Sequence, residues 1–148
     1  MIALADTYRI AAPREQVYAA LRNPDILRRC IEGCERLTEA EPGVYDAELR
    51  LGLGAIRGRY TGRARVTGEQ HPEALTLAVE GKGAGGHVRG EGRLQLNEAG
   101  AETDVKCEAT GQAGGVLAAV GSRLIQAAAA RPMAQFFSTL ATELASRR

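Results

Sequence analysis

Cys30 and Cys34 stand four apart in "CIEGC", and Cys107, His71 and His87 are the other soft ligands of the chain. A structural zinc site needs four such ligands, usually with CxxC-like spacing. Here the other three lie on distant segments, so neither count nor spacing suits a metal. Three cysteines is an odd number, which also argues against a disulfide framework. The reading that remains is buried thiols packing as small apolar groups, with an oxidisable Cys30/Cys34 pair as the alternative. "GKGAGG", Gly81 to Gly86, has GxGxxG spacing. A dinucleotide turn of that kind needs a strand before it and a helix after it. "ALTLAVE" before it and "HVRGEGRLQL" after it both alternate with period two. The glycines therefore sit in a hairpin, and no helix start is available to cradle phosphate. His87 falls on the outward parity of its strand, without a partner for base catalysis. No GxSxG, HExxH or P-loop occurs. Tyr45 and Tyr60 are the inward polar tips best able to bond a ligand carbonyl. Arg57, Arg59, Arg63 and Arg65 form an outward row. The row reads as a solvated face paired with Asp46, Glu48, Glu80 and Glu91, or as a surface for an acidic partner or anionic lipid headgroups.

The elements that must carry these residues follow from the pattern. A strand over 3–10 is followed by two short helices, with Pro13 in the first turn of one, and Asn23 and Pro24 as N-cap and first residue of the next. From Gly33 to Gly111 the period is two almost throughout, broken by turns at Pro42-Gly43, Gly52 to Gly54, His71-Pro72, Gly83 to Gly86 and Ala99-Gly100. That is an antiparallel meander. The alanine-rich segment after Gly115 has helical period, with Leu117, Val120, Leu124 and Ala128 as its stripe. Pro132 is expected to kink or break it near Ala128. The order is α+β: a curved antiparallel seven-stranded sheet wrapped around a long C-terminal helix, in one domain spanning 1–148.

The inward glycines raise a second expectation. Gly58, Gly62, Gly90 and Gly92 share parity with apolar residues, and glycine in a strand leaves nothing to pack. They serve either sheet curvature and close helix approach, or a cavity. Leu49, Leu51, Tyr60, Val79, Val88 and Leu94 would line such a cavity on the sheet side, and Leu117, Val120 and Leu124 from the helix. An enclosed apolar pocket is the usual form of a small-molecule site.

Three stretches carry a family resemblance. "RRCIEGCERL" resembles the C-I-P-G-C-E segment of the CoxG family, the G-subunit family of carbon monoxide dehydrogenase, with Glu32 where that family usually has proline. "GKGAGGHVRGEGRLQL" resembles its glycine-rich hairpin, and "AAVGSRLIQAAAARPMAQFFSTL" its terminal helix. The family lies in the START-like (SRPBCC) helix-grip superfamily. The resemblance implies a non-catalytic accessory protein without a covalently bound cofactor. Its partners would be a quinone or another isoprenoid or lipid-like ligand, and a molybdenum hydroxylase of the carbon monoxide dehydrogenase type, served in maturation, membrane recruitment or electron hand-over. Many relatives carry a further hydrophobic tail, and the absence of one after Arg148 leads to an expectation of transient membrane contact only.

Bulk properties bound the alternatives. The chain has 148 residues, and 19 basic against 18 acidic residues give a net charge of +1. No global field draws it to nucleic acid, and without tryptophan stacking platforms are few. No run is long and apolar enough for a span or a signal peptide, which sets the expectation of a cytoplasmic protein, peripheral at most to the inner face of the membrane. Two other functions stay open: a small cyclase- or hydrolase-type enzyme using the same cavity, and a chaperone-like partner with an incidental pocket.

Overall fold

The computed structural model describes residues 1–53 and 56–146. Gly54 and Ala55, the first of them part of the turn expected at Gly52 to Gly54, lie outside the described residues. Strand β1 (Ile2–Ile10) leads into two short helices, α1 (Arg14–Leu21) and α2 (Pro24–Cys30). Pro13 caps α1 with extended backbone rather than entering it. Asn23 starts α2 as its residue type predicts, its side-chain oxygen accepting from the amides of Asp25 at 3.0 Å and Ile26 at 3.3 Å. Pro24 follows at the first helical position, where a missing N–H costs nothing.

Six strands then run in sequence: β2 (Cys34–Glu41), β3 (Val44–Leu53), β4 (Ile56–Gln70), β5 (Ala74–Gly83), β6 (Gly86–Ala99) and β7 (Glu102–Gly114). Each pairs antiparallel with the next, and β1 closes against β7, giving one seven-stranded sheet in the order β1-β7-β6-β5-β4-β3-β2. Strands β1 and β2 are its edges. The β2–β3 pairing slips at two places, between Cys34 and Arg36 and between Glu39 and Glu41. Two helices finish the chain, α3 (Val116–Val120) and α4 (Ser122–Ala145).

The helical interruption differs in place from the expected one. The α4 helix runs unbroken through Pro132, and the break falls at Gly121, whose φ of 93° is outside the helical range. Glycine reaches that conformation without a Cβ penalty, so the turn between α3 and α4 forms there. The expected stripe through Leu117, Val120 and Leu124 crosses this break and loses its phase.

The core gathers one end of the concave sheet face under α1, α2 and the C-terminal half of α4. Leu75, Leu96 and Val105 come from the sheet, Val17, Leu21 and Ile26 from the short helices, and Leu140 and Leu144 from α4. Full burial of each such aliphatic stabilises by about 1.5–3 kcal/mol before conformational entropy is counted. Thr103, buried among them, donates its hydroxyl to the Ala12 carbonyl at 2.8 Å.

Candidate functional site

Beyond this core α4 and the sheet separate. A cleft of about 710 Å³ opens between the Ala129–Phe137 stretch of the helix and the middle of the sheet. Leu51 of β3, Leu77 and Val79 of β5, Gly92 and Leu94 of β6, Cys107 and Ala109 of β7, and Leu4 of β1 form one wall. Pro132, Met133, Phe136 and Phe137 face them, with Ile31 closing one side. The lining is mainly aliphatic and aromatic. Val79 is 41% exposed, so the space is an open cleft where the sequence suggested an enclosed chamber. The Phe137 ring stacks on Tyr8 with centroids 4.4 Å apart and touches Phe136 edge-on at 4.9 Å, which fixes the aromatic end of the wall.

Charged residues belong to the lining too, Arg93 of β6 and Glu108 of β7 among them. Arg50, Glu32 and Arg131 line it, and Arg131 reaches Glu32 at 3.5 Å. Glu32, which stands in place of the family's usual proline, thus holds the loop after α2 to α4 through a charge. The thiol of Cys107 is the buried titratable group of the lining. Burial, with Asp6 nearby, pushes it up to about 12, so it stays protonated and a weak nucleophile at neutral pH. Burial raises Cys30 likewise, to about 11, and Cys34 in the same direction. All three cysteines are free. Among the described residues no group of three or more His, Cys, Asp or Glu side chains could hold a metal ion.

The residues expected to line a cavity scatter. Leu51, Val79 and Leu94 reach the cleft. Tyr60 is buried beneath the β5–β6 turn, where its ring limits what can stand at Gly83. Leu117 is buried at that same turn, its amide donating to the Gly85 carbonyl at 2.9 Å. Val88 and Leu49 are half-buried beside glycines, near Gly81 and Gly62 respectively. Val120 is half-buried at the end of α3, and Leu124 is 63% exposed, because the break at Gly121 turns it out. Gly58, at φ 106°, and Gly62 have no helix beside them, and Gly92 is in the lining itself. Gly90 serves close strand pairing: a Cβ there would be driven into the Thr110 carbonyl of β7. Leu4, which the expected lining lacked, required knowing that β1 pairs with β7; Cys107 and Ala109 share the period-two face of Thr103 and Val105 and reach the cleft beside Leu94 and Gly92. Met133 with Phe136 and Phe137, at three- and four-residue spacing, was the helical signal available in the sequence.

The two candidate tyrosines part company. The Tyr45 hydroxyl accepts from Arg22 Nε at 2.9 Å and donates to the Arg22 carbonyl at 3.0 Å. Arg22 also binds Glu69, which accepts from Tyr18 at 2.5 Å. The Tyr18 hydroxyl is pushed up to about 12 by burial and by this bond, while the bonds from Tyr18 and Arg22 hold the Glu69 carboxyl below its usual range. This cluster pins α1 to β3 and β4 and commits the Tyr45 hydroxyl proton to the Arg22 carbonyl, so Tyr45 has no donor left for a ligand carbonyl. The Tyr60 hydroxyl, by contrast, is buried with no hydrogen-bond partner among the described residues. The arginine row lies outward, with Arg57, Arg59, Arg63 and Arg65 all exposed. Arg63 grips Asp46 with two bonds, of 2.7 and 3.1 Å, whereas Arg59 lies directly opposite Arg50. His87 is exposed, its ring against Gly114.

Similarities to known proteins agree with this architecture. A conserved protein from Geobacillus kaustophilus superposes with a TM-score of 0.93 at 29% identity, covering 98% of this chain and 96% of that one. A START superfamily protein from Mycobacterium smegmatis gives 0.81 at 9% identity, covering 99% of both chains, and shares the fold. A protein from Rhodobacter sphaeroides gives 0.73 at 20% identity, covering 99% of this chain and 94% of that one. No curated protein matches the chain in sequence. The CoxG family, described as the G-subunit of carbon monoxide dehydrogenase, matches residues 7–145. With that span matched and a START-like helix-grip fold around it, the chain belongs to the CoxG family of carbon monoxide dehydrogenase.

Proposed function

We propose that the protein is a non-catalytic accessory protein whose cleft holds an apolar quinone- or lipid-like molecule. The observation that carries this reading is the lining of the 710 Å³ cleft, mainly aliphatic and aromatic on both walls. Its volume falls within the roughly 300–1,000 Å³ of small-molecule sites. An isoprenoid chain gains about 0.8 kcal/mol for each methylene it buries there, so part of a prenyl tail suffices for measurable affinity. The head of such a ligand would lie toward Arg50, Glu32 and Arg131. Membership in the family and the START-like fold support an accessory, ligand-binding role, and the family's name supports carbon monoxide dehydrogenase as the enzyme served. Delivery of a quinone to a molybdenum hydroxylase of that type is the function proposed.

Native mass spectrometry of the purified protein, followed by solvent extraction, tests the ligand. A bound isoprenoid quinone or lipid is the expected result. Incubation with liposomes carrying a long-chain quinone should transfer quinone to the soluble fraction, and Gly92→Leu should reduce that transfer with the fold intact. Soluble protein that takes up no quinone, yet turns over a cyclisable or hydrolysable substrate, would replace this reading with the enzyme.

A further inference from the structure

The charged residues of the cleft lining decide which ligand heads its rim accepts. Arg50, Arg93 and Arg131 supply the positive charge. Each has a carboxylate beside it. Arg50 and Arg93 alternate along their strands with the lining residues Leu51 and Leu94. Arg50 lies 3.7 Å from Glu35, and Arg93 is the register partner of Glu108 on β7. Arg131 differs in coming from α4 rather than from the sheet. Its side chain is 76% exposed, and Glu32 meets it at 3.5 Å from the loop after α2.

The loop is built to present Glu32 there. Gly33, at φ 79°, accepts the Arg50 amide on its carbonyl at 2.8 Å, which ties the loop to β3. A Cβ at position 33 would be driven into the Arg50 carbonyl, so only glycine lets the loop lie so close to that strand. On the other side Ile31 enters the cleft lining. Between these two anchors the Glu32 side chain crosses to α4. Without Glu32, Arg131 would be an unanswered cation at the rim of an apolar cleft. That arrangement takes a fatty acid, its carboxylate on the guanidinium and its chain inward. With Glu32 in place the charge is already answered, and a second carboxylate is repelled. A guanidinium has five N–H donors, and one long contact to Glu32 leaves several for a neutral oxygen. The rim therefore favours a carbonyl or hydroxyl head over an anion.

We infer that Glu32 is a specificity-determining residue, which sets the cleft for amphiphiles with an uncharged polar head against those with an acidic one. The inference rests on the apolar-ligand reading of the cleft and narrows it. Oleate and oleyl alcohol test it, since they share a chain and differ in the charge of the head. Each is titrated below its aggregation concentration, at mildly alkaline pH, as a competitor of Nile red bound in the cleft. Glu32→Gln should strengthen oleate binding about fourfold, the scale of one exposed ion pair, and leave oleyl alcohol within about twofold. Glu32→Pro should do the same. Ile31 before it already has the extended backbone, φ −87° and ψ 115°, that a following proline requires. E32Q/R131Q should lose the gain, and added salt should shrink it in E32Q. Oleate affinity equal in wild type and E32Q would overturn the inference. So would a gain that persists in E32Q/R131Q, or an equal gain for oleyl alcohol, which would mean only that the loop had loosened. If wild type binds neither competitor, the apolar-ligand reading fails and the inference falls with it; oleyl alcohol bound normally beside an oleate affinity indifferent to Glu32 removes the inference alone.

Discussion

One concave face serves two purposes, and three strands show the division. At one end β5, β6 and β7 present Leu75, Leu96 and Val105, all within the core. Moving along the same strands, side chains shrink. Leu77 lies opposite Gly92, and Val79 opposite Gly90, while Gly92 and Gly90 face Ala109 and Gly111 on the other side. The backbone ladder continues unchanged through both regions. What differs is volume, so helix and sheet meet at one end and stand apart at the other. Stability and ligand space are set by side-chain size along continuous strands, without a change of fold.

Substitutions can break or sharpen this division, and their effects should descend in a definite order. Leu140→Ala in the packed end should cost about 2–5 kcal/mol in urea denaturation, since the residue is fully buried. Leu124→Ala, on the same helix but exposed, should change stability by less than about 0.5 kcal/mol. Gly90→Leu comes next. Its Cβ meets the Thr110 carbonyl, and the β6–β7 pairing must shift, at a cost of about 1–3 kcal/mol. Gly92→Leu faces only ordinary contact, with the nearest atom 3.9 Å from its Cβ. It should melt close to wild type yet bind a fluorescent lipid probe more weakly. Equal melting losses for Gly90→Leu and Gly92→Leu would show that the cleft is packed in solution.

The smallest effect concerns acid. The folded Glu69 carboxyl lies below its ordinary value of 4.5, held there by Tyr18 and then by Arg22. A depressed carboxylate adds stability above its unfolded pKa and loses it as pH falls through the folded one. The loss should therefore appear below pH 4.5. Glu69→Gln should lower stability slightly at neutral pH and flatten this acid limb in thermal melts. Since the Glu69 side chain is 41% exposed, screening keeps the change small. A melt series in which the acid limb is identical with and without Glu69 would assign the limb elsewhere.

Much of the fold was legible because strands and turns write themselves locally. Alternation at Leu75, Leu77 and Val79, and the Asn23-Pro24 start, need only their neighbours. The helix-grip resemblance supplied the closure of the sheet. What resisted reading was geometry settled over distance. The stripe through Leu124 assumed one continuous helix, whereas Gly121 resets the phase. Leu4 enters the cleft wall through the pairing of β1 with β7, which no local period records. The Tyr18–Glu69–Arg22 cluster joins residues about fifty positions apart, each of an ordinary surface type. Glycine at position 90 and glycine at position 92 look alike in the sequence. They differ only in what the neighbouring strand places above them.

The two sheet edges have a consequence for life at high protein concentration. An open sheet offers unpaired amides and carbonyls on which a second chain could polymerise. On β2 that offer is spoiled by Glu35, Arg36, Glu39 and Glu41, and by two slips in register that bend the strand from a flat template. On β1 the side chain of Gln126 already occupies the amide of Ala3. The molecule can therefore leave its apolar cleft open to solvent without also inviting growth of a fibre from its flanks.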